Sequence, residues 1–367
     1  MIDDLDRKYM RLCFELAEKG AGYVAPNPLV GALIVKNGRI ISTGYHKKYG
    51  SAHAEINAIN SADENLEGTT LYCSLEPCVH TGKKTPPCVP AIITCGITKV
   101  VISNVDPNPK VSGNGIEKLR NAGVEVVTGV LDEDGKELNR FFFKYMERGM
   151  PYVTVKIAQS GDGKITSSKG TRTRLTGIKS QIFVHKLRGT FDAVLVGAKT
   201  VNIDDPELTV RKTGGRNPVR IILDGNLNSN PAAKVFNDGK SRTLIFCSRY
   251  IENREKSEFA RKKTELIELE SGEGNQLALT GVLKELADLK ITSLLVEGGG
   301  EIFSQFVSRE LCDEVIVLKA PVELNGGIEA ISIGDRNNFI LSKTELLDED
   351  LMLTYRLKTA DYVHRNN

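Results

Sequence analysis

The chain has 367 residues, a length that favours two or three domains with substantial hydrophobic cores. Its 49 basic and 47 acidic side chains leave a formal net charge of +2, which argues against nucleic acid or an anionic membrane as a partner. No apolar run of about 18 residues is present, the N-terminus is acidic, and the seven cysteines are an odd number. We therefore expect a soluble, cytoplasmic protein with reduced thiols and no disulfide framework.

The first part of the chain alternates between helical and strand patterns. Apolar residues recur at helical spacing from Leu5 to Leu16, after the candidate N-caps Asp3 and Asp4. Asn37-Gly38 separates two apolar runs and predicts an antiparallel hairpin. Further predicted elements are a helix from about 53, a strand at 69–74, a helix at 88–95, a strand at 99–103, a helix at 116–121 and a strand at 124–128. This alternation favours a three-layer α/β sandwich.

A second unit is predicted to begin at Pro151. The three phenylalanines at 141–143 end the first pattern, and packing explains them better than a base-stacking platform does. Arg148-Gly149-Met150-Pro151 is typical of a short connection. We therefore expect one domain over residues 1–147 and another over residues 151–360.

A metal site is predicted from His53-Ala54-Glu55, Glu76-Pro77-Cys78 and Pro86-Pro87-Cys88. The imidazole of His53 and the thiolates of Cys78 and Cys88 would fill three of the four tetrahedral positions of zinc, leaving the last for an acidified water. Glu55 is then placed to carry protons, as in zinc-dependent base deaminases. Nine residues separate the two cysteines, whereas the usual deaminase spacing is C-x-x-C. The pattern predicts hydrolytic deamination.

Five motifs in order then resemble one family. They are Asn27-Pro28-Leu29-Val30-Gly31, Gly44-Tyr45-His46, His53-Ala54-Glu55, the run from Leu75 to Gly82, and Thr85-Pro86-Pro87-Cys88. They resemble the deaminase half of the bifunctional riboflavin biosynthesis deaminase/reductase, which implies a cytidine-deaminase-like α/β/α domain. The resemblance implies that Asn27, His46 and His80 contact the pyrimidine substrate, although the two histidines could instead be solvated loop residues. Lys83-Lys84 looks like a one-residue insertion relative to the family.

From Pro151 the strand and helix pattern restarts. Predicted strands are 152–157, 193–197, 219–223, 243–247, 293–296 and 314–318, with helical segments such as 182–187 and 283–289. Glu297-Gly298-Gly299-Gly300 stands between an apolar strand and a helical stretch. Glycines there would let a phosphate approach the helix N-terminus, although a plain turn explains them equally well.

A second set of motifs resembles the reductase half of the same family, whose fold is similar to dihydrofolate reductase. The set comprises Lys156 in its strand, Asp162-Gly163-Lys164, Leu187-Arg188, the run from Val196 to Val201, and the run from Asp204 to Arg211. The resemblance covers about residues 5 to 355. It implies a diaminopyrimidinone ribose phosphate that is deaminated by the first domain and reduced at the sugar by the second, with zinc and NADPH as cofactors.

The resemblance also assigns residues of the second domain. Those implied to contact the substrate are Arg188, Leu208, Arg211 and Glu297, and those on the cofactor side are Ala158, Thr200, Asp204, Gly298, Gly299 and Gly300. A guanidinium fork suits the ribose 5-phosphate because it pairs bidentately with phosphate oxygens. Lys156 and Asp204 are the charged candidates for proton donation near the reacting carbon, unless they form only a supporting ion pair.

Two positions bear on the cofactor. Where the family commonly has Ser-x-Trp-Ile-Thr, this chain has Arg172-Thr173-Arg174-Leu175-Thr176. Arg172 could contact the substrate and Arg174 a cofactor ring or phosphate, or both could be surface charges. Ser248-Arg249 follows a predicted strand, so Ser248 could help to hold the 2′-phosphate of NADP.

Two alternatives to the bifunctional enzyme are a nucleoside or tRNA deaminase with an appended reductase-like binding module, and a catalytically inactive binding protein. Low aromatic content and balanced charge disfavour nucleic-acid binding, and an inactive protein would be expected to have lost a ligand or Glu55. The order of deamination and reduction stays open. The apolar strand at 314–318 would allow a homodimer or a larger homo-oligomer.

Overall fold

The computed structural model describes residues 2–79, 85–109, 111–262, 264–334, 336 and 338–358. The chain forms two compact units, Met1–Met150 and Pro151–Asn367. Each unit has its own main sheet. Within the described residues, no helix combines the length and the apolar character needed to cross a membrane.

The first unit is an α/β sandwich built on one sheet. Its helices are α1 (Asp4–Glu18), α2 (Ala54–Asn60), α3 (Cys88–Thr94), α4 (Asn114–Asn121), α5 (Asp132–Leu138) and α6 (Arg140–Arg148). Its strands are β1 (Gly31–Lys36), β2 (Arg39–Tyr45), β3 (Thr70–Leu75), β4 (Lys99–Asn104) and β5 (Glu125–Val127), in the order β2-β1-β3-β4-β5. The contacts of β1 with β2 and β3 are antiparallel, whereas β3, β4 and β5 run parallel.

Alternate residues of the strands face two hydrophobic cores. Leu33 packs with Met10 and Cys13 of α1 on one face of the sheet. Ala32 and Ile34 face the other side, where Ala54, Ala58, Val89 and Ile92 of α2 and α3 pack against them. The period of two along a strand therefore places helices on both faces. This confirms the predicted three-layer arrangement.

The predicted helix cap and the predicted hairpin turn of the first unit are both present. Asp3 caps α1 through a reciprocal capping box, in which the backbone N–H of Asp6 donates to the Asp3 carboxylate at 2.7 Å. The hairpin between β1 and β2 turns at Asn37 and Gly38, with φ of 49° and 75°. Both residues tolerate the left-handed backbone that a two-residue hairpin turn requires. The three phenylalanines at 141–143 lie within α6, and Phe142 joins the core.

The second unit is also α/β. Its helices are α7 (Ile178–Thr190), α8 (Ala198–Asp204), α9 (Lys234–Asn237), α10 (Asn253–Ala260), α11 (Leu279–Asp288) and α12 (Gly300–Ser308). Its strands are β6 (Tyr152–Gln159), β7 (Lys164–Thr166), β8 (Ala193–Gly197), β9 (Val219–Leu223), β10 (Thr243–Ser248), β11 (Glu265–Leu269), β12 (Ser293–Val296), β13 (Glu314–Lys319), β14 (Ile328–Glu329), β15 (Phe339–Leu347) and β16 (Asp350–Leu357).

Nine of these strands form one sheet, in the order β11-β10-β9-β8-β12-β6-β13-β16-β15. The strands from β11 to β13 along this order run parallel, and β16 is antiparallel to both of its neighbours. The carboxyl ends of β6, β8, β12 and β13 therefore meet at one edge, which is where ligands bind in open α/β sheets. Strands β7 and β14 pair separately.

The apolar strand at 314–318, which was expected to allow self-association, has no free edge or exposed face for a second copy of the chain. Strand β13 lies between β6 and β16, and five of its six residues are buried within the unit. The predicted apolar run at 314–318 was therefore an internal strand. Its outer neighbour, the long hairpin of β15 and β16, was not predicted, because β15 carries exposed polar side chains over most of its length.

Helix α2 lies close against β2 at Gly44. A Cβ atom at this position would stand 2.3 Å from the carbonyl oxygen of Ala54 and 2.3 Å from the backbone nitrogen of Ala58. Both obstructing atoms are backbone, so the helix can accommodate a side chain only by moving. The glycine thereby sets the distance between the helix and the sheet.

We predict that Gly44→Ala lowers the local stability of α2 by about 1–3 kcal/mol, the usual cost of overpacking. Amide hydrogen exchange of α2 in the full chain measures this change. Gly38→Ala is the matched control, because a Cβ atom there meets open space and only the left-handed backbone is disfavoured. Unchanged protection of the α2 amides in Gly44→Ala would contradict the argument.

Candidate functional sites

His53, Cys78 and Cys88 meet in the first unit. His53 directly precedes α2, Cys78 lies in the loop after β3, and Cys88 is the first residue of α3. Nδ1 of His53 lies 3.4 Å from Sγ of Cys78 and 3.3 Å from Sγ of Cys88, and the two sulfurs are 3.7 Å apart. The two cysteines are buried and the histidine is half-buried. The predicted ligands therefore converge on one point.

Backbone hydrogen bonds hold the two cysteines together. The N–H groups of Cys88 and Val89 donate to the carbonyl oxygen of Cys78 at 3.0 and 3.2 Å. The first N–H groups of a helix have no partner inside the helix. Helix α3 uses two of them to fix the position of Cys78.

The spacing of the three ligand atoms fits zinc. With bonds of about 2.3 Å to sulfur and about 2.0 Å to nitrogen, a tetrahedral zinc ion separates two sulfurs by about 3.8 Å and a sulfur from a nitrogen by about 3.5 Å. The observed separations are 3.7, 3.4 and 3.3 Å. Oγ1 of Thr85 lies 3.3 Å from Nε2 of His53, where an outer partner can orient the ring.

The two thiols differ in acidity. A hydrogen bond shared with Cys88, reinforced by His53, lowers the pKa of Cys78 to about 4. The same hydrogen bond, together with burial, raises the pKa of Cys88. The pair therefore releases one proton readily, as a metal-binding thiolate must. Cys73 is fully buried in the core on β3, and burial raises the pKa of its thiol.

Glu55 lies in the first turn of α2 and is 3% exposed. His53, Cys78 and Cys88 all act on its pKa, which places the carboxyl group beside the ligand cluster. Burial is the largest influence on this group and raises the pKa of Glu55, although the neighbouring His53 opposes it. A raised pKa favours a carboxyl group that both accepts and returns a proton.

Asn27 and His46 form a second part of the same site. Nδ2 of Asn27 lies 3.2 Å from Nε2 of His46, and Nδ1 of His46 lies 3.1 Å from the carbonyl oxygen of Ala52. The rings of His46 and His53 are 5.4 Å apart and nearly perpendicular. His46 is 3% exposed, so it is not a solvated loop residue. His80 and Lys83-Lys84 lie outside the described residues.

Two further residues support this site and were not singled out as functional from the sequence. The buried carboxylate of Glu76 accepts hydrogen bonds from four backbone N–H groups, those of Asp106, Gly113, Gly115 and Ile116. Asn139 accepts from the N–H of Leu29 at 2.7 Å and donates to its carbonyl oxygen at 2.9 Å. Glu76 stands inside a recognised motif, whereas Asn139 has no signal of its own because its partner is 110 residues away.

In the second unit, Lys156, Arg188 and Glu297 form an ionic cluster whose side chains are 15%, 12% and 6% exposed. Nε and Nη2 of Arg188 donate to the two carboxylate oxygens of Glu297 at 2.6 and 2.9 Å. Nζ of Lys156 lies 3.3 Å from Oε2 of Glu297. Burial alone would raise the pKa of Glu297, but the two cations outweigh it and lower the pKa to about 2. Glu297 is therefore ionised near neutral pH.

This cluster corrects the role expected for the Arg188 fork. The bidentate face of the guanidinium pairs with Glu297, and Nη1 donates to the carbonyl oxygen of Thr209 at 3.2 Å. The fork is thus committed to the protein and cannot also grip a phosphate bidentately. Arg211 is exposed, and its Nη1 donates to Oγ1 of Thr209 at 2.7 Å. Arg211 is the better placed of the two for a phosphate.

Asp204 ends α8 and is half-buried. Burial raises the pKa of Asp204, while Arg172 and Lys156 act in the opposite direction. These two cations therefore lie within electrostatic range of the carboxyl group. In the described part of the chain, however, the ion-pair partner of Lys156 is Glu297 rather than Asp204.

The glycine turn joins β12 to α12. Gly299 caps the nine-residue helix α12, and Oγ1 of Thr200 lies 3.5 Å from where a Cβ atom of Gly299 would stand. A Cβ atom on Gly300 would stand 3.1 Å from the side chain of Ile165, and one on Gly298 would stand 3.2 Å from that of Ile302. The predicted cofactor residues Thr200 and Gly298 to Gly300 therefore do come together.

The remaining predicted residues differ in their positions and exposure. Ala158 is half-buried on β6 opposite Leu318, and Leu208 is buried with a left-handed backbone at φ 51°. Arg172 and Arg174 are exposed in an irregular segment. Ser248 lies apart from them at the end of β10, fully buried, with its hydroxyl 2.6 Å from that of Ser271. Its hydroxyl is thus not presented to a cofactor phosphate.

The two sites define a class of enzyme in which a zinc-type deaminase and a reductase share one chain. Comparisons with known proteins agree. Residues 3–104 match the family described as the cytidine and deoxycytidylate deaminase zinc-binding region, and residues 151–353 match the RibD C-terminal domain. The chain belongs to the RibD family of riboflavin biosynthesis proteins and is a bifunctional deaminase and reductase.

Relatives and solved structures cover nearly the whole chain. The riboflavin biosynthesis protein RibD of Aquifex aeolicus is 41% identical over 362 residues, which are 97% of this chain and 99% of the relative. The crystal structure of a diaminohydroxyphosphoribosylaminopyrimidine deaminase/5-amino-6-(5-phosphoribosylamino)uracil reductase from Thermotoga maritima matches with a TM-score of 0.85 and 38% identity, covering 96% and 99% of the two chains. RibD of Acinetobacter baumannii matches with a TM-score of 0.86 and 32% identity, covering 97% and 99%.

We predict that Cys88→Ser lowers the zinc content from about one ion per chain to a small fraction, because a three-ligand site loses a soft thiolate donor. Cys95→Ser is the matched control, since Cys95 directly follows α3 and is outside the cluster. Metal analysis of the purified full chains measures the difference. Equal zinc in both variants would contradict the proposed ligand set.

Proposed function

We propose that the first unit deaminates 2,5-diamino-6-ribosylamino-4(3H)-pyrimidinone 5′-phosphate and that the second unit reduces the ribosyl side chain of the resulting 5-amino-6-(5-phosphoribosylamino)uracil. The observation that carries the first half is the convergence of His53, Cys78 and Cys88 beside the buried carboxyl group of Glu55. The family assignment and the ionic site of the second unit support the other half.

For deamination, a zinc ion held by the three ligands would supply an acidified water as the nucleophile. Glu55 takes a proton from the attacking water and returns one to the departing amino group, so that ammonia leaves as a neutral molecule. Asn27 and His46 orient the pyrimidine ring. Ala52 and Asn27 occupy the two ring nitrogens of His46, so His46 acts through the shape of its rigidly held ring and through the position it gives to Asn27.

For reduction, NADPH would supply a hydride to C1′ of the ribose in its ring-opened form. Opening the ring protonates the ring oxygen and leaves a C1′=N bond. Hydride addition at C1′ then requires a proton on the nitrogen, which gives a ribitylamino chain. Lys156 and Asp204 are the two candidates for these proton transfers, and the glycine turn with Thr200 is the proposed binding site of the nicotinamide nucleotide.

We predict that Glu55→Gln retains zinc at about one ion per chain but loses most ammonia release, a fall of about a hundredfold or more. The amide preserves size and removes only the group that carries the proton. Zinc analysis and ammonia release are measured on one preparation, with NADPH oxidation on the deaminated substrate as the control for the second unit. Ammonia release at the wild-type rate would remove Glu55 from the mechanism.

For the reductase we predict that Asp204→Asn slows NADPH oxidation by about tenfold or more. The raised pKa of Asp204 keeps part of it protonated above the ordinary range of an aspartic acid, so a rate that needs this proton falls as pH rises through that pKa. The asparagine variant should therefore also lose this pH dependence. Ammonia release should be unchanged. A wild-type rate and pH profile would make Asp204 a scaffold residue and leave Lys156 as the candidate.

A further inference from the structure

We infer that His185 is a positioning residue of the reductase site, which holds the backbone of Arg211 so that its guanidinium receives the 5′-phosphate of the substrate. The inference rests on the proposed function, because it takes Arg211 to be a phosphate ligand. His185 itself contacts neither the substrate nor the cofactor in this assignment. Its role is carried by one hydrogen bond to the main chain.

The geometry of that hydrogen bond is well defined. His185 lies on α7 and is 5% exposed. The backbone N–H of Arg211 donates to its Nδ1 at 3.0 Å. The imidazole must therefore be in the tautomer that carries its proton on Nε2, because Nδ1 can accept only when it is unprotonated.

Helix α7 holds the segment that ends at Arg211 at two points, through His185 and through Arg188. Arg188, one turn after His185, donates from Nη1 to the carbonyl oxygen of Thr209 at 3.2 Å. From another direction, Oδ1 of Asn217 accepts from the N–H of Val210 at 2.8 Å. The segment is thus held by side chains at three successive residues. The contact of His185 is the one made to the backbone of Arg211 itself.

The charges around His185 favour the neutral ring. Burial, followed by the positive charges of Arg188 and Arg211, lowers the pKa of His185 to about 4, with Lys212 acting in the same direction and Glu297 opposing it. A group with this pKa is uncharged throughout the neutral range. Nδ1 is therefore available as an acceptor wherever the enzyme works near neutral pH.

The side chain of Arg211 depends on this anchor. Its Nη1 donates to Oγ1 of Thr209 at 2.7 Å and lies 3.4 Å from a carboxylate oxygen of Glu207. The side chain of Arg211 remains 45% exposed, so it is accessible to a ligand. A flexible, exposed arginine binds more tightly when its backbone is held in place, since less freedom is lost on binding.

The test compares His185→Phe, which keeps a ring but has no acceptor, with His185→Asn, whose amide oxygen can replace Nδ1. Lys186→Ala is the matched control, because the next residue of α7 is exposed. We expect His185→Phe to raise the KM for the phosphorylated, deaminated substrate about tenfold, the usual effect of losing one buried hydrogen bond. The kcat and the KM for NADPH should change less than about twofold, and His185→Asn should recover most of the loss.

A second measurement uses the same substrate without its 5′-phosphate. It distinguishes a His185 that positions Arg211 for the phosphate from a His185 that only stabilises the fold. The KM for this probe should be the same in the wild type and in His185→Phe. An equal rise of KM with both substrates, or a rise of KM for NADPH, would overturn the inference and leave His185 a structural residue. Arg211→Ala tests the underlying assignment separately: if it leaves the KM for the phosphorylated substrate unchanged, the phosphate contact proposed above is wrong, whatever the His185 variants do.

Discussion

Carboxyl groups that are largely removed from water organise both units of the chain, because such a group must be surrounded by hydrogen-bond donors or by opposite charge. In the first unit the carboxylate of Glu76 gathers four backbone N–H groups from the loop and first turn of α4. Glu76 is two residues from Cys78, so these bonds also steady the loop that presents a ligand. In the second unit Glu297 plays the corresponding part by drawing Arg188 and Lys156 to the end of β12.

Two other carboxyl groups lie in environments that contrast with that of Glu297. Glu55 has burial as its dominant influence, and its pKa is raised. Burial raises the pKa of Asp204 in the same way, whereas the two neighbouring cations lower the pKa of Glu297 and keep it ionised. Pairs of carboxyl groups whose environments separate their pKa values are characteristic of sites that divide structural work from proton transfer. This division supports Glu55 and Asp204 as the proton carriers and Glu297 as the group that orients Lys156.

The sequence predicts what is encoded locally. The ligand triad, the hairpin at Asn37-Gly38, the three-layer fold and the glycine turn all follow from short patterns, and the structure agrees. What the sequence does not predict are partners that meet only after folding. Arg188 looks like a phosphate ligand until Glu297, 109 residues later, is seen to occupy its fork. Ser248 looks like a cofactor contact until its burial beside Ser271 is known. The anchors Asn139 and His185 escape notice for the same reason.

The unusual spacing between Cys78 and Cys88 has a simple physical explanation. The hydrogen bonds from the N–H groups of Cys88 and Val89 to the carbonyl oxygen of Cys78 fix the two ends of the intervening segment. The ligand geometry is therefore set at the ends and does not depend on the path between them. Lengthening a loop of this size by one residue costs only about 0.1 kcal/mol of closure entropy. The nine-residue spacing is thus compatible with the same metal site as a shorter one, because helix α3, and not the loop, determines where the second thiolate stands.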